Sequence, residues 1–168
     1  MITLLNGRGQ LGDSLKKEIE NQNTEKQVFI YHTWNVWDKK SDLQVQEYKK
    51  FKEFVDENKN SGRMIFISTY SENDNYYVYY KQKSEAYLLM NWEDSIVLRL
   101  PSLIGSKGIF KRLKNRECSP YGVIQIMSLE KASKKILEFV DYKGLSRVFT
   151  ITGEDIKADT LSELLHIF

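Results

Sequence analysis

The chain has one cysteine, Cys118, and two prolines, Pro101 and Pro120, in 168 residues. One cysteine excludes an internal disulfide and a thiolate zinc cluster, and no activating partner for Cys118 is evident. The two histidines, His32 and His166, lack ligand spacing, so no metal site is expected. No apolar run approaches the roughly 20 residues of a membrane-spanning helix. Charge of one sign is also lacking. The 25 Lys and Arg against 23 Asp and Glu leave a net +2, which does not imply a nucleic-acid partner. There is no internal repeat and no low-complexity linker. Met1 leads straight into an apolar strand, not a signal peptide, and a cytoplasmic protein is expected. What is there, 41% hydrophobic and 29% charged residues, has the composition of a globular protein. The length fits a single domain over 1–168 with a core of useful size.

The apolar pattern alternates between two periods. Ile2-Thr3-Leu4-Leu5, Val28-Phe29-Ile30-Tyr31, Met64-Ile65-Phe66-Ile67, Ile96-Val97-Leu98 and Val148-Phe149-Thr150-Ile151 read as short buried strands. Between them, Leu11, Leu15 and Ile19 share one helix face, with Lys16, Lys17, Glu18 and Glu20 opposite. A second helix, capped by Ser41, carries Leu43, Tyr48, Phe51, Phe54 and Val55. A tyrosine-rich helix spans 76–90. Residues 107–120 read as basic and irregular, and 122–127 as a short strand or an extended link. Ser128 caps a helix with Ala132, Ile136, Leu137 and Val140 inward. Thr160-Leu161-Ser162-Glu163 reads as a capping box opening a last helix. Alternating strands and helices predict an α/β sandwich of three layers around a mostly parallel sheet of about five strands.

The first strand runs into Gly7-Arg8-Gly9-Gln10-Leu11-Gly12 and then a helix. In this context the glycines permit a tight turn and a close approach to a pyrophosphate, and the helix N-terminus supplies free N–H groups. Glycines that merely let helix and strand pack closely are the other reading. Trp34 and Trp37 could stack on a sugar or belong to core or interface. The basic run Lys107, Lys111, Arg112, Lys114, Arg116 could meet a sugar-nucleotide diphosphate or be a solvated surface.

Read in order, these segments resemble the extended short-chain dehydrogenase/reductase superfamily. Within it they are most similar to the NAD-dependent sugar epimerase/dehydratases and the dTDP-4-dehydrorhamnose reductase group. Asn6-Gly7-Arg8-Gly9-Gln10-Leu11-Gly12 resembles its glycine loop, and Phe29-Ile30-Tyr31-His32 the strand ending beside the nicotinamide ribose. Phe66-Ile67-Ser68-Thr69 resembles the strand carrying the catalytic Ser/Thr. Tyr77-x-x-x-Lys81-x-x-x-Glu85 resembles the catalytic helix, and 98–105, containing Pro101 and Leu103, the loop over the nicotinamide. Residues 128–168 resemble the C-terminal helix, Thr-Gly-Glu strand and final helix.

The resemblance implies a Rossmann-like fold, NAD or NADP as cofactor and a nucleotide-sugar substrate in polysaccharide biosynthesis. Hydride transfer at a sugar carbon would use Thr69, Tyr77 and Lys81. Lys81 would lower the Tyr77 pKa and hold the nicotinamide ribose. Gly7, Gly9, Gln10, Leu11, Gly12, His32, Lys81, Pro101 and Leu103 would contact the cofactor. Tyr79-x-x-x-Lys83 has the same spacing and stays open as a rival register. Members often dimerise through helices corresponding to 42–57 and 76–90, so a homodimer is expected.

The chain also departs from the family. It goes from its first helix directly to the strand ending in His32, with no second strand, second helix or third strand of the usual kind. Those elements hold the adenosine half of the cofactor and supply an acidic ribose ligand; Asp38 follows the wrong strand. The 106–127 region is a reduced substrate side. Skipping two strands also poses a problem of chirality. A right-handed connection would put the first helix on the unusual face, unless a loop carries the chain back. The first strand would then be an edge. NAD affinity should be weaker, and a non-catalytic family member acting as a binding or partner subunit is the alternative reading.

Overall fold

Side-chain alternation in the strands sorts the apolar residues onto two faces of one sheet. The computed structural model describes residues 1–5, 9–20, 22–36, 40–105, 109–115 and 122–167. Gly7, Trp37, Asp38, Lys107, Arg116, Cys118 and Pro120 lie outside the described residues. The main sheet contains β1 (Ile2–Leu5), β2 (Val28–Tyr31), β3 (Arg63–Thr69), β4 (Ser95–Leu100) and β7 (Val148–Thr150), in the order β1-β2-β3-β4-β7. Every pairing in it is parallel. Ile30, Ile65, Ile67, Ile96 and Leu98 face one side with Leu15, Ala132 and Ile136. Tyr31, Met64, Phe66 and Val97 face the other, with Phe51, Val55, Leu88 and Trp92.

The helices divide accordingly. α1 (Gly9–Ile19) and α5 (Leu129–Leu137) pack together on the first face, linked by Ser133 Oγ donating to Ser14 Oγ at 2.8 Å. α2 (Ser41–Glu57) and α3 (Tyr76–Asn91) pack together on the second. The steps from β1 to β2, β2 to β3 and β3 to β4 all go the same way across the sheet. Since α1 lies opposite α2 and α3, the first crossover has the opposite hand to the next two. Right-handed units make up about 98% of such connections, so β1–α1–β2 is an exception. Residues 22–27 bring the chain back. It is tied to the start of the sheet by the Met1 ammonium, which donates to the Thr24 and Lys26 carbonyls at 3.2 and 2.8 Å.

Several local expectations change. β1 is an edge strand, half-buried along its length and not a buried one. Lys40, not Ser41, precedes the first turn of α2, without a side-chain cap. Asn75 caps α3, its side chain accepting from Val78 N at 3.1 Å. Ser128 caps α5 as expected. The last helix, α6 (Ala158–Ile167), begins two residues before Thr160, so the capping box is not used. The 102–157 stretch also builds a second sheet from β5 (Ser102–Ile104), β6 (Val123–Ser128) and β8 (Glu154–Lys157), in the order β5-β6-β8. β6 pairs with β8 antiparallel. α4 (Ile109–Lys114) occupies part of the stretch expected to be irregular, and Phe110, Leu113, Ile126 and Leu161 form a small core there. No helix among the described residues is long and apolar enough to cross a membrane.

The approach of β2 to β3 depends on Gly62. A Cβ there would overlap the Gln27 carbonyl oxygen, which accepts from Arg63 N at 2.8 Å. Gly62→Ala is expected to cost about 1–3 kcal/mol in urea denaturation through this overlap. Leu145→Ala, at a side chain 98% exposed, should stay within about 0.5 kcal/mol of wild type.

Candidate active site

In parallel α/β sheets, ligands bind outside the carboxyl ends of the strands. Four features meet there in this chain. α1 begins beyond β1 at Gly9, whose φ of +88° suits glycine and whose missing Cβ faces open space. Gln10 reaches from α1 to the loop after β5, because a Cβ on Gly105 would overlap its side-chain amide. Leu11 packs against the core, and Gly12 is buried within α1. On the other side of the edge, Pro101 is buried and Leu103 packs against the α1–α5 core.

His32 follows β2 directly. Its Nε2 is buried without a hydrogen-bond partner, a costly state that a bound donor or acceptor would relieve. Burial, then the Lys81 and Lys16 charges, push its pKa down to about 4, with Asp13 among the opposing influences. The ring is therefore neutral at pH 7. Lys16 and Asp13 belong to α1 and Lys81 to α3, so His32 lies under the influence of helices from both faces of the sheet.

The tyrosine-rich helix presents two different sides. Tyr77, Lys81 and Glu85 follow at i, i+4, i+8 and turn inward. Tyr77 interacts with the Thr69 side chain at the end of β3, and Thr69 Oγ1 also accepts from Ser71 N at 3.1 Å. Lys81 is 2% exposed, its Nζ donating to the Ile67 carbonyl at 2.7 Å. The ammonium lies 4.6 Å from the ring centroids of both Trp34 and Phe66. Tyr79 is exposed, and Lys83 lies over the rings of Tyr48, Tyr79 and Tyr80 on the outer surface. The rival register thus faces away from the strand ends.

The electrostatics differ from expectation. Lys81 was expected to lower the Tyr77 pKa. Instead, burial pushes Tyr77 up to about 12 against the opposing Thr69 hydrogen bond. Burial likewise draws Lys81 down to about 7, with Glu85 and Glu47 opposing. Both groups have lost water, and desolvation disfavours each charged form. At neutral pH Tyr77 is an un-ionised phenol.

Three residues that sequence reasoning did not assign hold this arrangement. Glu85, 4% exposed, receives Arg99 Nε on both oxygens at 3.2 and 3.1 Å. It also accepts from Ser68 Oγ. The signals were an arginine inside the apolar Leu98-Arg99-Leu100 run and a glutamate one turn beyond Lys81. Trp34 is half-buried and joins the packing on the α2–α3 face. Its Nε1 donates to buried Gln44 at 2.7 Å, and its ring packs with Phe51 and Phe66. Of the basic run, Lys111 and Lys114 are exposed on α4. Among the described residues no cluster of His, Cys, Asp and Glu could hold a metal ion.

A scan against protein-family models finds no match, and a search of curated proteins finds none either. Solved structures do match over nearly the whole chain. The UDP-N-acetylglucosamine 4-epimerase of Bacillus cereus is 14% identical with a TM-score of 0.72, covering 96% of this chain and 78% of that one. An NAD-dependent NDP-hexosamine 5,6-dehydratase of tunicamycin biosynthesis is 10% identical with a TM-score of 0.76, covering 99% and 80%. The dTDP-4-dehydrorhamnose reductase of Bacillus anthracis, in complex with NADP, is 11% identical with a TM-score of 0.74, covering 98% and 79%. At these identities the likeness is one of fold, and the fold is the expected Rossmann-like α/β architecture.

Lys81 gives a pH signature. Below pH 7 its proton is bound in both folded and unfolded chains, and the full burial penalty applies. Between about 7 and 10 the folded protein releases that proton while the unfolded chain keeps it. Rising pH in this window therefore favours folding, by at most about 1.4 kcal/mol per pH unit. The stability of wild type relative to Lys81→Met should climb from pH 7 to 10 in denaturant titrations. A constant difference would show that folding does not dehydrate the ammonium.

Proposed function

We propose that the chain binds a nicotinamide nucleotide at the carboxyl ends of β1–β4 and reduces or epimerises a nucleotide-linked sugar there. The observation that carries this reading is the meeting, at one sheet edge, of unpartnered His32 Nε2, buried Lys81 and the Thr69–Tyr77 pair. The fold matches add support, since the dehydratase is NAD-dependent and the Bacillus anthracis reductase holds NADP. Another match, a UDP-glucose 4-epimerase of Thermotoga maritima, was solved with UDP-glucose.

The residues present fit the nicotinamide side of such a cofactor. His32 Nε2 and Lys81 Nζ are the groups to hold its ribose. Gly9 and the N-terminus of α1 would face its phosphate, with Gln10 beside them. The adenosine side has no counterpart among the described residues, because the sheet ends at β1. When bound, a reduced nicotinamide supplies hydride. Tyr77, protonated at neutral pH, would give its proton to the keto oxygen of the sugar, with Thr69 hydrogen-bonding the same oxygen. That proton state favours the reductive direction. The sugar would lie toward β5, β6 and α4, the reduced substrate side. Polysaccharide precursors are the substrate class in this reading.

The outer face of α2 and α3 is proposed as a homodimer contact. It exposes Tyr76, Tyr79 and Met90 at 53%, 55% and 84%, around a ring cluster of Tyr48, Tyr79 and Tyr80. Sedimentation at tens of micromolar should return a dimer, and a monomer would remove this part of the reading.

Fluorescence titration with NADH and NADPH tests the cofactor. At least one should bind below about 1 mM, and Lys81→Ala should weaken it by on the order of tenfold, as for a lost charged hydrogen bond. Tyr77→Phe should leave that binding in place. With UDP-hexoses and dTDP-4-keto-hexoses as substrates, it should lower turnover by about a hundredfold or more. Cofactor binding with no turnover of either class by wild type would return the chain to the binding-subunit reading.

A further inference from the structure

We infer that the site is built for a mononucleotide, a single nicotinamide nucleoside with its phosphate, and makes no contact with the adenosine half of NAD. This rests on the function proposed above and narrows its ligand. A dinucleotide-binding sheet consists of two mononucleotide-binding halves that meet at the strand where the order reverses. Among the described residues of this chain the order never reverses. It runs β1-β2-β3-β4-β7 in one direction, and β1 is its edge. A second half would need strands beyond β1, the first of them ending in a carboxylate for the adenosine ribose.

The segment that would build that half is used differently here. After α1, residues 22–27 lead into β2, which pairs with β1 on its inner side, from Ile2 with Val28 to Leu5 with Tyr31. The connection is also pinned at the opposite end of β1 from the site. The Met1 ammonium holds the Thr24 and Lys26 carbonyls, Val28 N donates to the Met1 carbonyl, and Gln27 Nε2 donates to Thr3 Oγ1 at 2.9 Å. These bonds hold the returning chain at the amino end of the sheet, where it cannot cover a nucleoside lying past the carboxyl end of β1. Apart from Gly9, which follows β1 itself, the groups identified as ligand-facing belong to elements on the inner side of that strand: His32 after β2, Thr69 on β3, and Tyr77 and Lys81 on α3. The first crossover of opposite hand produces this one-sidedness, because it spends the loop after α1 on returning to β2.

An adenosine attached to a ligand held this way would project past β1 into solvent and add little affinity. Reduced nicotinamide mononucleotide and NADH, titrated by fluorescence into the full chain, should therefore bind within about threefold of one another. AMP at about ten times the NADH concentration should not displace NADH. Lys81→Ala should weaken both reduced nucleotides by the same factor, because both would use the same residues. NADH binding about tenfold or more tighter than the mononucleotide, or displacement of NADH by AMP, would overturn the inference while leaving the proposed function in place. Failure of both reduced nucleotides to bind would overturn the proposed function, and the inference with it.

Discussion

A buried carboxylate sets how α3 lies against the sheet. Glu85 is held from β4 by Arg99 and from β3 by Ser68, so one side chain ties the helix to two neighbouring strands. Because β3 and β4 pair in register, Ser68 with Arg99, the two donors converge on the same point. Buried polar atoms need hydrogen-bond partners, and meeting that need for the Glu85 oxygens fixes the rotation of the helix. One turn toward the N-terminus, Lys81 is placed against the Ile67 carbonyl. Two turns toward it, Tyr77 is placed beside Thr69. The proton states follow from that placement. Burial, nearly complete for Lys81 and partial for Tyr77, leaves Tyr77 protonated and draws Lys81 down toward neutrality.

The second constraint is chirality. A parallel sheet whose helices all followed the usual hand would put α1 with α2 and α3. Its packing with α5 instead leaves both faces of the sheet covered, with Leu15 and Ile136 on one and Phe51 and Leu88 on the other. Two covered faces are what a parallel sheet of apolar strands requires. The unfavoured connection is offset by burial of the first face, which otherwise would have α5 alone to cover Ile30 and Ile65.

The strands of the main sheet were legible because short runs of β-branched and apolar residues have few alternatives, and α1 because Leu11, Leu15 and Ile19 mark one face. The second sheet was not. β5 has three residues, and β8 reads Glu-Asp-Ile-Lys, largely exposed, so neither carries an apolar period. α4 was hidden in a basic run whose two apolar anchors, Phe110 and Leu113, make sense only with Ile126 and Leu161 beside them. At the site, the order of motifs pointed to Thr69, Tyr77 and Lys81, and the helical spacing accounts for the common face of Tyr77 and Lys81 on α3. Their proton states could not be read, because desolvation depends on what surrounds a group in space. The Glu85–Arg99–Ser68 link was missed for a similar reason, since its partners come from three separate elements.

The edge position of β1 gives the N-terminal unit a mechanical independence. Among the described residues β1 pairs with β2 and with no other strand, so separating β1 and α1 from the rest would break the β1–β2 ladder alone, together with the packing of α1 on α5. Units of this kind open below the free energy of global unfolding. A ligand seated between Gly9 and the ends of β2 and β3 would bridge that seam. It would act as a clasp, coupling occupancy of the site to the attachment of the first part of the chain.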